Sequence, residues 1–212
     1  MKLLSGPLSM FGAKAEIAVH EKGLDVAIEH VPFSIATLYE PKHPDVLRIN
    51  PKAQVPVLID GDLEIFDSTQ IFEYFEDLGI GPALWPADPR ARARARSLEL
   101  QSDEVFFPNV VAIMPAQRRA ADGSEIAAAV NAIHGYYDRM ERRLGANPYL
   151  AGEFSYADIA FFMAQFFASF LGEPWREPMP NLTGWKARLE ARPAVARVVD
   201  KMTHYLAEQL AR

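Results

Sequence analysis

The rhythm of apolar residues changes near residue 80. Before that point short apolar runs alternate with helical stretches. "KLLS" is a brief apolar run before a turn and predicts a strand. From Met10 to Gly23 the apolar residues Phe11, Ala15, Ala18 and Val19 recur on one side of a helix that stops at glycine. "VAIEHV" alternates as a half-buried strand does, and "PVLIDGDLEIF" reads as two short strands around Asp60-Gly61-Asp62. "DSTQIFEYFEDLG" is a helix with an acidic start and a glycine stop. The order is β-α-β, a loop or short helix, then β-β-α, which predicts an α/β unit with a small mixed sheet.

"GIGPALWPADP", Gly79 to Pro89, interrupts this pattern and reads as a linker. Beyond it the strand signals vanish. Arg90 to Ala120, Ser124 to Leu144, Ser155 to Leu171, Asn181 to Ala191 and Pro193 to Leu210 carry helical periodicity, with Pro108 and Pro115 expected to kink or interrupt the first. The expected division is an α/β domain over 1–79, a linker over 80–89 and an all-helical domain over 90–212. "SYAD", Ser155 to Asp158, resembles a capping box with Asp in the place of Glu or Gln, flanked by Phe154 and Ile159 as a hydrophobic staple. The "RARARAR" run, Arg90 to Arg96, is built from two strong helix formers and reads as a solvated helix start; a charged subunit interface is its functional alternative.

Composition narrows the function. Half of the 212 residues are apolar, enough for a large core, and the formal net charge is −6. An acidic chain is a poor binder of nucleic-acid phosphates. The chain has no cysteine, hence no disulfide framework, thiolate metal site or cysteine nucleophile. Of the five histidines, His20, His30, His43, His134 and His204, none forms an i, i+4 pair, so no metal site is expected. "MKLLSGPL" is too short an apolar run for a secretory signal. The most apolar stretch, "IAFFMAQFFASFL", carries Gln165 and Ser169 and falls short of the ~18 apolar residues of a membrane helix, so it predicts a buried core helix. A cytoplasmic protein is expected.

Three stretches together resemble the soluble glutathione transferases, in their serine-type (tau-, phi- or theta-like) classes. "SMFGAKAEIAVHEKGL" is similar to the family's first helix with a serine before it. "PKHPDVLRINPKAQVPVLIDGDLEIFDSTQIFEYFED" resembles the glutathione-binding half: a lysine, then Asn-Pro, then Gln-Val-Pro, then an acidic residue followed by serine. "PNLTGWKARLEARPAV" resembles the late helices. The resemblance implies an α/β thioredoxin-like N-terminal domain followed by an all-α helical C-terminal domain. It also implies glutathione as co-substrate and a homodimer.

Each residue the resemblance selects has a plainer reading beside it. Val55-Pro56 would be a cis peptide whose Val55 backbone pairs with the cysteinyl backbone of glutathione, or an ordinary strand start. Ser68, at a helix N-terminus, would hold the γ-glutamyl carboxylate, with Asp67 toward the ligand amine; the alternative is capping by Asp67, with Gln70 three residues on. Lys42 and Gln54 would meet the glycine carboxylate, and Lys42 would otherwise be a solvated charge. Ser9 would donate to the glutathione sulfur, with Ser5 as the rival donor four residues earlier.

The chemistry asked of Ser9 is modest. An unperturbed thiol, with a pKa of about 8.5, is only ~3% ionised at pH 7. A hydrogen bond to the thiolate is worth ~1–2 pKa units, and part of the gain is returned because nucleophilicity falls with pKa. Holding thiolate and electrophile together supplies the rest. The electrophile site is expected to be apolar, bordered by Met10 and Phe11, with Phe106, Phe107, Ile113, Met114, Phe166 and Phe170 as candidates from the helical part; each is also a plausible core residue. Conjugation of a small hydrophobic electrophile is the expected reaction. A glutathione-dependent isomerase, dehalogenase or ether-cleaving lyase is the alternative on the same site, and a non-catalytic interaction module on the same fold is the other.

Overall fold

The structure, a computed structural model, describes residues 1–114, 122–176 and 178–211. Pro115 and Ala120, and with them the end of the predicted Arg90–Ala120 helix, lie outside the described residues. The chain forms two compact units, one of residues 1–83 with 192–212 and the other of residues 84–191.

In the first unit, β1 (Lys2–Ser5), α1 (Met10–Lys22), β2 (Ala27–His30), α2 (Pro44–Ile49), β3 (Val57–Asp60), β4 (Leu63–Phe66) and α3 (Ser68–Asp77) follow the predicted order. The sheet runs β2-β1-β3-β4, with β1 and β2 parallel and the other pairs antiparallel. Successive strand residues face opposite sides. Leu4 and Val57, register partners, therefore pack with Val31 and with Val46 of α2 on one face. Leu3 and Leu58, the next pair, point to the other, where α1 and α3 pack. Gly23, at φ 64°, ends α1: its N–H reaches the His20 carbonyl and the Leu24 N–H that of Val19, a Schellman cap that needs a left-handed residue. Lys22, buried at the same end, donates to Glu76 of α3 at 2.8 Å and to the Pro82 carbonyl at 3.0 Å.

The second unit holds α4 (Pro89–Gln101), a π-helical turn (Ser102–Phe106), α5 (Phe107–Ala112), α6 (Gly123–Leu144), α7 (Tyr156–Phe170) and α8 (Pro180–Glu190). The π turn precedes Pro108, as the interruption expected there. Proline has no N–H to give the carbonyl four residues back, and its ring would strike that carbonyl; the wider turn, with the Phe107 N–H on the Ser102 carbonyl, relieves both. α7 is buried on nearly every side, as its sequence predicts, and among the described residues no helix is long and apolar enough to cross a membrane. The Ser155–Asp158 capping box is present.

The last helix, α9 (Pro193–Leu210), matches its predicted span but clusters with the first unit, where the sequence had grouped it with the helical domain. It packs on α1. A two-pronged ion pair joins Arg192 to Glu21 at 2.7 Å for each prong, and the Tyr205 hydroxyl donates to the Phe33 carbonyl at 2.8 Å.

Candidate active site

Ser9 is the N-cap of α1. Its hydroxyl accepts from the Gly12 N–H at 3.0 Å, its N–H donates to the Gly6 carbonyl at 3.1 Å, and its carbonyl accepts from Ala13 at 2.9 Å. It is 9% exposed. A serine hydroxyl has two acceptor lone pairs and one proton, and the cap uses a lone pair. Among the described residues no acceptor takes that proton. Capping and donation to a ligand are therefore compatible, and accepting from Gly12 makes the O–H a better donor.

Ser5 is differently placed. It is fully buried at the end of β1 and its hydroxyl donates to Oε1 of Glu16 at 2.5 Å. His30, its register partner on β2, meets the same oxygen through Nε2 at 2.9 Å. The Ser5 proton is thus committed to a carboxylate. A Cβ at Gly12 would run into the Ser5 hydroxyl, so the glycine lets α1 start directly against the strand end. The sequence reading missed this Ser5–Glu16–His30 cluster. Its signal was a glutamate on an otherwise buried stretch of α1, but a pairing across 11 and 14 residues is invisible to periodicity.

The second group lies around β3. Val55-Pro56 is cis, as expected, and so is Glu40-Pro41, which was not. Val55 is half-buried and Gln54 exposed. The loop before them is held by Asn50, buried and also missed: its Nδ2 donates to the Gln54 carbonyl at 2.6 Å and its Oδ1 accepts from the Lys52 N–H at 2.9 Å. Lys42 lies 3.4 Å from the Glu40 carboxylate and over the Tyr39 ring, 5.9 Å from its centroid.

Asp67 and Ser68 open α3. Asp67 is the N-cap, with Oδ1 accepting from the Thr69 and Gln70 N–H groups at 2.9 and 3.3 Å, so the capping role is present. Its backbone sits at φ 77°, ψ 129°, a region that costs a non-glycine residue ~1–3 kcal/mol and marks functional positions more often than others. Asp67 is exposed, and Oδ2 makes no hydrogen bond among the described residues. Ser68 is buried at the first position of the helix, where N–H groups and the dipole favour an anion. A cation at Lys42, an anion-favouring helix start and a carboxylate suit a flexible ligand with two carboxylates and one ammonium.

The apolar candidates separate by burial. Met10 of α1 is buried, and Phe11 is partly exposed with the Lys14 ammonium 5.6 Å from its centroid. Phe106 is closed in the core of the second unit, its ring 5.0–5.4 Å from those of Tyr136, Tyr137 and Phe161. Phe107 and Ile113 are buried, Phe107 edge-on to Phe167 at 6.2 Å. Met114 and Phe166 are partly exposed, and Phe170 is 49% exposed. Among the described residues no cluster of metal-ligating side chains occurs.

A family model described as the glutathione S-transferase N-terminal domain matches residues 8–78, and one for the C-terminal domain matches residues 103–193. The chain is 31% identical to glutathione S-transferase 3 of Zea mays, over 94% of this chain and 93% of that one. It belongs to the glutathione S-transferase family. Two solved structures agree in fold. The enzyme from Methylobacillus flagellatus, solved with glutathione bound, is 27% identical at a TM-score of 0.82, covering 93% of this transferase and 98% of that chain. The Tau-class transferase of mango, Mangifera indica, is 26% identical at a TM-score of 0.80, covering 98% and 97%.

Proposed function

We propose that this transferase binds glutathione across the N-terminal ends of α1 and α3 and the loop before β3, and conjugates its thiolate to a small hydrophobic electrophile. Ser9 donates to the sulfur. Ser68 holds the γ-glutamyl carboxylate, Asp67 faces the ligand amine, the Val55 backbone beside Pro56 pairs with the cysteinyl backbone, and Lys42 and Gln54 take the glycine carboxylate. Met10 and Phe11 border the electrophile from α1. The chemical step is an attack of sulfur on carbon: the C–S bond forms as the leaving group departs with its electron pair.

The observation that carries this reading is the contrast of two serines. The Ser9 hydroxyl is a cap whose proton no acceptor takes among the described residues, whereas the Ser5 proton is taken by Glu16. The test is the thiol of bound glutathione. Ser9→Ala should raise its pKa by ~1–2 units, read as thiolate absorbance against pH, with affinity little changed. A cap alone would lower stability by ~0.5–2 kcal/mol and leave the titration in place. Retention on immobilised glutathione, followed by conjugation of a chloronitrobenzene with release of chloride, separates a transferase from a non-catalytic module.

We further propose a cytoplasmic homodimer. Leu100 and Val105 are 58% and 47% exposed on the Arg90–Glu104 stretch and its immediate end, and the charges of that stretch would face the partner subunit. Light scattering should give twice the 23.7 kDa mass of one chain.

A further inference from the structure

One side chain touches the surroundings of both ends of the site just described. Tyr39 packs, together with Val55, against the cluster of Leu4, Val31, Val46 and Val57, and its ring lies 4.8 Å from that of Phe33. Its hydroxyl accepts from the N–H of Leu8, the residue before Ser9, at 3.3 Å. A Cβ at Gly6 would come within 2.8 Å of the Tyr39 ring, so the glycine is what allows the ring to lie against the β1–α1 loop. The face of the same ring carries the Lys42 ammonium at 5.9 Å, inside the range of a cation–π contact. Burial pushes the phenol well above its usual range, so it remains a neutral hydroxyl at any working pH.

We propose that Tyr39 is a positioning residue coupling the thiol end of the glutathione site to its glycine end: the hydroxyl fixes the Leu8 peptide and through it Ser9, and the ring face fixes Lys42. The proposal rests on the glutathione reading above. The two contacts belong to different parts of one side chain, so two substitutions separate them. Tyr39→Phe removes the hydroxyl and keeps the ring. Tyr39→Leu removes both.

The experiment is the thiolate titration and glutathione affinity of the full chain. In Tyr39→Phe the bound-thiol pKa should rise by roughly 0.3–1 unit, as loss of one neutral hydrogen bond acting through Ser9 implies, with affinity within about twofold of the wild type. In a Ser9→Ala background the same change should move nothing, because the group it positions is gone. Tyr39→Leu should in addition weaken glutathione binding by about 2–5-fold, the scale of an exposed cation–π contact, and that loss should vanish in Lys42→Ala. A wild-type protein that shows no thiolate band with glutathione would overturn the glutathione reading itself, and this proposal with it. A wild-type band with an unmoved Tyr39→Phe titration, or a shift that persists in Ser9→Ala, would overturn the role of Tyr39 and leave that reading standing.

Discussion

The starts of α3 and α7 both use an aspartate, Asp67 as the N-cap of α3 and Asp158 as the third residue of α7 behind its N-cap Ser155, and the two differ in burial, backbone strain and hydrogen-bond occupancy. At α3, Asp67 is exposed, strained at positive φ, and caps the helix with one oxygen while the other makes no hydrogen bond among the described residues. At α7, Asp158 is fully buried and both oxygens are occupied. Oδ1 accepts from the Leu150 N–H and the Trp185 indole, each at 2.9 Å, and Oδ2 from the Ser155 N–H at 3.0 Å and its hydroxyl at 3.2 Å. A helix-start aspartate is thus used once, inside a capping box, to lock a core and once, as an N-cap, to leave polar capacity facing outward at a strained backbone. Satisfied and buried caps hold structure; incompletely used, strained caps are where a ligand finds partners.

The comparison breaks most visibly at Asp158. Asp158→Ala would strand three buried N–H donors at ~1–3 kcal/mol each, with imperfect additivity, so a loss of ~3–5 kcal/mol is expected. For a chain of this size that lowers the melting temperature by roughly 10 °C or more, measurable by calorimetry. The next effect is on pH dependence. Burial, only partly offset by the hydrogen bonds from Leu150, Trp185 and Ser155, raises the Asp158 pKa from 3.8 to about 6. Between these values the folded state keeps a proton that the unfolded chain has lost, so this group makes stability fall as pH rises from about 4 to 6, by up to ~3 kcal/mol. Asp45 and Asp122 have lowered pKa values, and their opposite contribution is lost only below that window. Urea midpoints of the wild type minus those of Asp158→Asn should therefore decline across pH 4–6. A flat difference would mean that Asp158 is ionised throughout.

The legibility of these features in the sequence follows from their range. Apolar runs, alternation, turn signals and helical periodicity identify β1, α1, β3, β4 and α7, because each signal lies within the element itself. Caps at Ser9, Asp67 and Ser155 are local and were readable as caps. Whether a cap also serves a ligand depends on exposure and on spare lone pairs, which no spacing encodes: the sequence makes Asp67 an N-cap and puts Asp158 in a capping box, but does not say which of them is buried. The Ser5–Glu16–His30 cluster, the grip of Asn50 on the Gln54 carbonyl and the reach of Tyr39 to Leu8 join different elements, and only the packed fold brings them together. The place of α9 in the first unit is similar. Its amphipathic pattern specifies a helix with one apolar face, but its place on α1 joins residues far apart in the chain, as the Arg192–Glu21 pair does.

A smaller effect tests the α3 side of the comparison. Ser68→Ala should weaken glutathione binding by ~1–3 kcal/mol, the value of a charge-assisted hydrogen bond to a carboxylate, and should leave the thiol titration in place. Calorimetric affinity equal to the wild type would confine Ser68 to the structure of the helix start.

The smallest and most discriminating effect is expected at Asp67, where stability and binding should separate. Asp67→Gly relieves the positive-φ strain. The loss of the cap costs only a few tenths of a kcal/mol when glycine replaces aspartate, and the extra freedom of glycine in the unfolded chain costs roughly 0.5–1 kcal/mol. These terms nearly cancel, so the melting temperature should move by no more than a few degrees in either direction. Asp67→Ala retains the strain and loses the cap, and should be destabilised by ~0.5–2 kcal/mol. If Asp67 faces the ligand amine, both variants lose an exposed ion pair worth up to ~1 kcal/mol, and both should bind glutathione up to about fivefold more weakly. That loss should shrink as salt is added, because an exposed pair is screened. A glycine variant as stable as the wild type but weaker in binding would show that the strain at Asp67 is retained for the ligand. Equal binding in all three proteins would reduce Asp67 to a cap.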